Sequence, residues 1–310
     1  MTAERYSLRM TKKKITVEKV QQIKAILGEM NINTVCESAK CPNIGECFSK
    51  PSVTFMILGD VCRGNCAFCA VKKGNPKNVD FDEPKKIARA TRMMGLKHTI
   101  ITSVCRDDLA DCGALHFAHT IFEVIREAPD STIEVLAPDF NASRKAIKTV
   151  LDSNPNIFNH NLETVPRLYS KVKSKANYEK SLKVLKTVKK IKPGVITKSG
   201  LMIGLGETED EVISVMKDLI AAKCDILTIG QYVQSTPHNI PVNTFVTPDK
   251  FFKLREYGMQ IGFMHVESAP FVRSSYNADL FPANNLNNKN MEKTKNGTIP
   301  SYKETASLRI

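Results

Sequence analysis

The sequence predicts an α/β protein built around a partial (β/α)6 barrel of the TIM type, with an extension at each end. Six short apolar segments of strand length alternate with segments whose apolar residues recur every three to four positions. Strands that alternate with helices in this way pair in parallel through right-handed crossovers. Six repeats are fewer than the eight of a closed barrel, so we expect the barrel to be open.

The first predicted strand, at 53–58, is an unbroken apolar run of the kind that is buried on both faces. Further strands are expected at 98–103, 132–136, 157–161, 195–203 and 225–230. Helices are expected at 17–28, 84–95, 115–125, 142–152 and 178–188, and after a capping box of Thr208 and Glu211. The apolar side chains that share one helix face are Val17, Val20, Ile23 and Leu27, then Leu115, Ala118, Phe122 and Ile125, then Tyr178, Leu182, Leu185 and Val188. Val212, Val215, Met216 and Leu219 are expected to point inward from the helix after the capping box.

Polar residues gather just past these predicted strands. In barrels of this kind the active site is built at the rim where the carboxyl ends of the strands meet. We therefore expect the functional groups to lie together at that rim. They are the 62–69 loop, the Arg106–Asp108 motif, Asp139, Asn161, Glu163, Lys198 and Gln231.

The charge balance suggests an acidic partner. The chain has 45 Lys and Arg against 32 Asp and Glu, a net charge of +13. The basic residues are scattered and few alternate with aromatic residues, so the composition fits an acidic protein as well as a nucleic acid. No apolar run reaches the ~20 residues of a membrane span, and the first residues lack a secretory signal. We expect a cytoplasmic protein, with a mitochondrial location as the alternative in a eukaryote.

Nine cysteines in such a chain indicate metal ligands or catalytic groups more than disulfides. Cys62, Cys66 and Cys69 have the spacing C-x3-C-x2-C. Three thiolates this close can hold one cubane iron–sulfur cluster and leave its fourth iron open to another molecule. Structural zinc, the main alternative, prefers four protein ligands.

A second triad precedes the first. Cys36, Cys41 and Cys47 have the spacing C-x4-C-x5-C and again lack a fourth cysteine nearby. Taken alone, this triad fits a cluster, a redox site or a zinc site. The three remaining cysteines have no ligand-like spacing, and we expect them to be packing residues or incidental thiols. They are Cys105, Cys112 and Cys224.

The C-x3-C-x2-C spacing, with Phe68 before the last cysteine, resembles the radical S-adenosylmethionine (SAM) superfamily. Both triads together, in VCESAKCPNIGEC and TFMILGDVC, resemble the lipoyl synthase family, as do ITSVCRDDLADCGA, FNHNLETVPRLY and VRSSYNADL. The resemblance extends from about residue 32 to residue 279. It implies that the amino and carboxylate groups of SAM bind the open iron, and that cluster reduction yields a 5′-deoxyadenosyl radical.

The resemblance also implies the activity, a radical insertion of two sulfur atoms at carbons 6 and 8 of a protein-bound octanoyl-lysine to form lipoyl-lysine. It implies two 4Fe–4S clusters. Cys62, Cys66 and Cys69 would hold the catalytic one. Cys36, Cys41, Cys47 and Ser275 of the Arg273–Tyr276 motif would hold an auxiliary cluster that is sacrificed as the sulfur source.

The implied partners are an octanoylated lipoyl carrier domain, of the dehydrogenase E2 or glycine cleavage H protein type, and a reductant such as ferredoxin or flavodoxin. Such carriers are commonly acidic, which agrees with the net charge. No nucleic acid and no membrane are expected. By the family pattern, Thr102 and Ser103 would face the amino acid part of SAM, Asn161 and Glu163 its ribose, and Lys198 its carboxylate.

The chain then divides into an extension at 1–50 carrying the auxiliary-cluster cysteines, a radical SAM barrel at 51–270, and a C-terminal segment at 271–310 carrying the serine ligand and a flexible tail. One enzymatic alternative is another radical SAM protein with an auxiliary cluster, related to methylthiotransferases or to biotin synthase. Methylthiotransferases usually add RNA-binding domains, which this sequence does not contain. A metal carrier or structural zinc protein is the non-enzymatic alternative.

Overall fold

A parallel sheet of seven strands forms the body of the protein in a computed structural model that describes residues 15–278. In chain order the strands are β1 (Thr54–Ile57), β2 (Val61–Cys62), β3 (Lys72–Lys73), β4 (His98–Ser103), β5 (Thr132–Leu136), β6 (Ile157–Asn159), β7 (Ile196–Ile203), β8 (Ile226–Gln231) and β9 (His265–Ser268). The main sheet has the order β1-β4-β5-β6-β7-β8-β9, and β2 pairs with β3 in a separate ladder. The flexible tail predicted from the sequence lies outside the described residues.

Helices connect these strands and cover the sheet. They are α1 (Val17–Glu29), α2 (Val35–Ser38), α3 (Ile44–Ser49), α4 (Glu83–Met93), α5 (Ala114–Glu127), α6 (Arg144–Asp152), α7 (Tyr169–Val172), α8 (Tyr178–Ile191), α9 (Glu209–Ala221) and α10 (Pro248–Ile261). The predicted capping box is confirmed, because Thr208 accepts from the Glu211 backbone N–H and Glu211 accepts from that of Thr208. None of the helices between residues 15 and 278 has the length and apolar character that crossing a membrane requires.

Every neighbouring pair in the main sheet is parallel, so all seven carboxyl ends lie at one edge. The predicted α/β class and open barrel are therefore confirmed, with one strand more than the sequence predicts. Strand β9 was missed because His265-Val-Glu-Ser268 is short and buries only Val266. The prediction for α5 was also wrong in part. Phe122 is 41% exposed, because the helix turns Phe117, Ile121 and Val124 toward the core instead.

The first described residues share the core of the barrel. Ile23 and Leu27 of α1 and Phe48 of α3 belong to the same buried cluster as Phe55 of β1. The backbone N–H of Met56 donates to the Asn33 carbonyl at 2.8 Å. The segment that carries Cys36, Cys41 and Cys47 is thus packed against strand β1.

A buried ion pair crosses the interior of the sheet. The Nζ of Lys198 lies 3.0 Å from Oε2 of Glu134, and neither side chain is more than 4% exposed. Glu134 also accepts from Asn159 at 2.8 Å and contacts His98 at 3.4 Å. Burial opposes the ionisation of Glu134, but Lys198, His98 and Asn159 together outweigh it and lower its pKa to about 2.

We predict that replacing Lys198 with Met lowers the free energy of unfolding by roughly 3 kcal/mol, since it leaves a buried carboxylate without its cation. The same replacement at Lys148, whose pair with Asp152 is exposed, should change it little. Urea unfolding of the metal-free chain measures both. The pKa of Glu134 is lower in the folded chain, so its contribution to stability is complete above pH 4.5 and is lost as the pH falls toward 2. Equal changes in the free energy of unfolding for Lys198→Met and Lys148→Met would contradict this account.

Candidate metal centre

The C-x3-C-x2-C loop begins directly after β1. Leu58 and Gly59 both take positive φ angles, 68° and 100°, and turn the chain out of the sheet. Cys62 lies in β2, and its ladder with Lys73 of β3 closes the loop that contains Cys66 and Cys69. Because β1 ends at the carboxyl edge, this loop lies at the predicted rim.

The Arg106–Asp108 motif braces this loop on one side. Arg106 is 3% exposed, pairs with Asp108 at 2.9 Å, and donates to the Leu58 carbonyl at 3.3 Å. Asp107 accepts from Arg63 of the cysteine loop at 2.6 Å. The motif therefore fixes both the turn before the loop and the residue after its first cysteine.

Two other segments hold the opposite side of the loop. The Ala67 backbone N–H donates to the Val172 carbonyl at 2.9 Å. Asn239 donates its amide to the carbonyls of Ala67 and Cys69, at 3.0 and 3.2 Å. Asn239 was not predicted from the sequence, because it does not directly follow a strand and belongs to no cysteine motif. Its only signal was a polar side chain in the segment after β8.

The sulfur of Cys62 accepts two backbone hydrogen bonds, from the N–H of Gly64 at 3.3 Å and of Cys105 at 3.2 Å. Such bonds stabilise negative charge on sulfur and tune the potential of a cluster that the sulfur ligates. Burial raises the pKa of Cys66 to about 12 and also raises that of Cys69. In the metal-free chain these thiols hold their protons, which metal binding would release.

The second triad lies in α2, α3 and the turn between them. Thr34 caps α2 by accepting from the Glu37 backbone N–H at 3.2 Å, and the N–H of Cys41 donates to the Cys36 carbonyl at 3.0 Å. Burial raises the pKa of Cys36 to about 11 and that of Cys47 to about 12, and the neighbouring thiols contribute to both shifts. The three thiols are thus close enough to influence one another.

One cavity of about 380 Å³ opens at this edge of the sheet and is lined by one complete triad, by Cys69 of the other triad and by the C-terminal motif. Cys62 and Cys66 are not among the residues that line it. All nine cysteines fall within the described residues, and none forms a disulfide. Within residues 15–278, no three His, Cys, Asp or Glu side chains are arranged to hold a single metal ion. The predicted ligands that line the cavity are Cys36, Cys41, Cys47, Cys69 and Ser275.

Two of the predicted SAM-binding residues also line the cavity. Asn161 donates from Nδ2 to Ser274 Oγ at 2.6 Å, while its buried Oδ1 has no hydrogen-bond partner in the described part of the chain. Glu163 is half-buried, and its partial removal from water raises its pKa although Lys173 and Asn161 lower it. Asn161 therefore offers an unsatisfied polar atom to the cavity, and Glu163 a carboxyl group.

Three further predicted residues do not line this cavity. Thr102 donates its hydroxyl to the Leu136 carbonyl at 2.8 Å, and the buried Ser103 hydroxyl lacks a partner in the described structure. Lys198 contradicts the expectation that it lies at the rim. It is the third residue of the eight in β7, so it lies toward the amino end of the strand. There its ammonium group donates to the Glu134 carboxylate.

The residues present fit the groups that the sequence suggests. Thiolates are the donors that suit iron–sulfur clusters. The buried Asn161 Oδ1 and Ser103 Oγ are orphaned polar atoms of the kind that a polar cosubstrate satisfies. A Cβ on Gly200 would lie 2.8 Å from Asn161 Oδ1, so the cavity floor has room only for glycine there.

The chain is similar in sequence to proteins of one superfamily. The family model of the radical SAM superfamily matches residues 56–219. The chain is 52% identical to a lipoyl synthase of Caldanaerobacter subterraneus over 87% of this chain and 94% of the relative. It is 49% identical to a lipoyl synthase of Thermus thermophilus, over 85% of this chain and 82% of that relative.

Solved structures with a similar fold are more distant. SuiB of Streptococcus suis bound to S-adenosylmethionine superposes with a TM-score of 0.56 at 12% identity, over 74% of this chain and 53% of that one. Methylornithine synthase superposes with a TM-score of 0.52 at 14% identity, over 87% of this chain and 89% of that one. These likenesses support the fold alone.

We predict that the three cysteines outside the triads hold no iron. Cys224 is buried and donates to the Ile226 carbonyl, and Cys112 accepts from Asn141 at 3.3 Å. Cys105 contacts Cys62 through its backbone N–H, which a side-chain substitution keeps. A chain with Cys105→Ser, Cys112→Ser and Cys224→Ala should match the parent in iron per chain after anaerobic reconstitution. Loss of half the iron would assign one of these cysteines to a cluster.

Proposed function

Because this chain belongs to the lipoyl synthase family of the radical SAM superfamily, we propose that its two cysteine triads divide the work of that family's reaction. The chain is a radical SAM enzyme that uses SAM and a 4Fe–4S cluster to insert sulfur, and its substrate is a lipoyl carrier protein. The finer proposal is that Cys62, Cys66 and Cys69 hold the catalyst, whereas Cys36, Cys41, Cys47 and Ser275 hold the reagent.

One observation carries this proposal. Cys36, Cys41 and Cys47 line one cavity together with Cys69, the last cysteine of the other triad, and with Ser275 from the far end of the chain. A structural zinc site takes four protein ligands, and each triad supplies only three cysteines. Two incomplete sets on one cavity fit a reaction in which one metal group acts on a substrate held beside the other.

Cys62, Cys66 and Cys69 would supply three of the four ligands of the catalytic cluster. A cluster held there would supply the electron for reductive cleavage of SAM, the chemistry by which this superfamily removes hydrogen from unactivated carbon. The chain itself orients the ligands. Arg63, held by Asp107, fixes the loop, and the N–H groups of Gly64 and Cys105 face the Cys62 sulfur.

Cys36, Cys41 and Cys47 would hold the auxiliary cluster, with the Ser275 hydroxyl as its fourth ligand. An alkoxide is a harder donor than a thiolate and suits iron–sulfur clusters less well. The iron bound by Ser275 would therefore be the most weakly held iron of the cluster. Two sulfurs would replace hydrogens at carbons 6 and 8 of the octanoyl chain.

Asn161 and Glu163 are the best candidates for SAM contacts among the predicted residues. Both line the cavity, and Asn161 Oδ1 is buried without a partner in the described residues. Ser103 is a weaker candidate because only its orphaned hydroxyl supports it. Thr102 already donates its hydroxyl to a carbonyl, and Lys198 is paired with Glu134.

We infer that the carrier is an octanoylated lipoyl domain of the dehydrogenase E2 or glycine cleavage H protein type. The net charge of +13 favours an acidic carrier of this kind. A low-potential donor such as ferredoxin or flavodoxin would supply the electrons.

The test replaces each triad in turn with alanine. With both clusters, the parent should hold about eight irons per chain, four for each cubane. The chain lacking Cys36, Cys41 and Cys47 should hold about half of that iron and still cleave SAM to 5′-deoxyadenosine, but form no thiolated octanoyl peptide. The chain lacking Cys62, Cys66 and Cys69 should also hold half the iron, yet cleave no SAM.

Iron analysis and mass spectrometry of the products distinguish the alternatives. A parent with four irons or fewer and full activity would reject the two-cluster proposal. SAM cleavage without any thiolated peptide, in a parent with both clusters loaded, would favour another radical SAM reaction. A colourless parent purified without air would favour a zinc protein.

A further inference from the structure

Hydrogen bonds join the segment that carries Cys36, Cys41 and Cys47 to the chain on both sides of Ser275. Asn43, which is 7% exposed, donates from Nδ2 to the Phe271 carbonyl at 2.7 Å, across 228 positions of sequence. The Tyr276 hydroxyl donates to the Glu46 carboxylate at 3.3 and 3.4 Å. Asn43 and Glu46 both lie between Cys41 and Cys47, so the cysteine loop itself makes these contacts.

The barrel supplies a floor beneath the same stretch. A Cβ built on Gly230 of β8 would lie 2.0 Å from the Val272 carbonyl oxygen, and one on Gly200 of β7 would lie 2.9 Å from Ser274 Oγ. Neither distance is tolerable for real atoms. The chain from Val272 to Ser274 therefore rests directly on the backbone of two strands, which only glycine permits.

A tight turn then presents the two serines. The Tyr276 backbone N–H donates to the Arg273 carbonyl at 2.9 Å, so Ser274 and Ser275 are the central residues of a four-residue turn. Ser274 Oγ accepts from Asn161 at 2.6 Å, which fixes one of the two serines to the barrel. Ser275 is the other, and it lines the cavity beside the triad.

We propose that these contacts form a seat, made of Asn43, Glu46, Asn161, Gly200 and Gly230, that positions Ser275 as the fourth ligand of the auxiliary cluster. This inference rests on the proposed function, which assigns Ser275 to that cluster. The residues of the seat are positioning residues and touch no iron. Groups that orient a metal ligand typically change metal affinity about 10–100-fold when they are removed.

The physical reason is the weakness of the serine ligand. A hydroxyl competes poorly with thiolates for iron, so its bond depends on being held in place before the metal binds. Without the seat, the hydroxyl would approach the triad only through closure of a very long loop, which costs conformational entropy. The seat meets this cost in the folded chain through hydrogen bonds and close backbone packing.

The test compares Gly230→Ala with Ser275→Ala. Both are made in a full-length chain that also lacks Cys62, Cys66 and Cys69, so that only the auxiliary cluster contributes to the Mössbauer spectrum. We expect Gly230→Ala to show the spectrum of Ser275→Ala, and to lose its iron to a competing chelator at about ten- to hundredfold lower chelator concentration than the parent. Gly194→Ala is the matched control, since a Cβ there meets nothing within 4 Å.

The outcomes separate the two proposals. If Ser275→Ala itself keeps the parent spectrum, the assignment of Ser275 is overturned and the seat with it. If Ser275→Ala changes the spectrum but a folded Gly230→Ala does not, only the seat is overturned.

If circular dichroism shows that Gly230→Ala does not fold, Tyr276→Phe decides, because it removes the hydroxyl that bonds to Glu46 and almost no volume. We expect Tyr276→Phe to lose iron more readily than Tyr257→Phe, the same change in α10. Equal chelator curves for these two variants would overturn the seat.

Discussion

The site depends on bringing two distant parts of one chain together at the carboxyl edge of the sheet. Cys36, Cys41 and Cys47 offer three thiols from a short segment. The proposed fourth donor, Ser275, follows the last strand. Glu46 and Tyr276, which join the two parts, are 230 positions apart. No local segment can provide this arrangement. It requires a rigid platform on which both chain segments are packed, and the parallel sheet is that platform.

The sheet provides this platform through its strand order. Strands β1 and β9 are the two edges of the main sheet, and the cysteine segment packs on β1 while residues 271–276 follow β9. The open sheet curves so that β7 and β8 lie beneath the cavity, where Gly200 and Gly230 let the C-terminal segment approach. Lower in the barrel, the buried pair of Lys198 and Glu134 links β7 with β5. The proposed cluster site at the carboxyl edge is thus separate from the buried ion pair deeper in the barrel.

The sequence predicted the parts of the site that are local in the chain. Cysteine spacing is a local property, and so is the capping box at Thr208, and both were visible without a structure. Contacts across the chain were not visible. Lys198 looked like a rim residue, but its depth depends on where β7 starts and on a carboxylate 64 positions away. Strand β9 was not predicted because His265-Val-Glu-Ser268 lacks an apolar pattern. Phe122 was wrongly predicted to pack inward, because the buried face of its helix carries Phe117 and Ile121.

The central claim is that one triad holds a catalyst and the other a reagent. The most direct measurement rebuilds the auxiliary cluster with sulfide of a heavy sulfur isotope and follows a single turnover on an octanoylated carrier peptide without free sulfide. The account predicts that both sulfur atoms of the lipoyl product carry the heavy isotope and that the auxiliary cluster is lost in proportion. A product with sulfur of natural isotope composition, formed while that cluster stays intact, would contradict it.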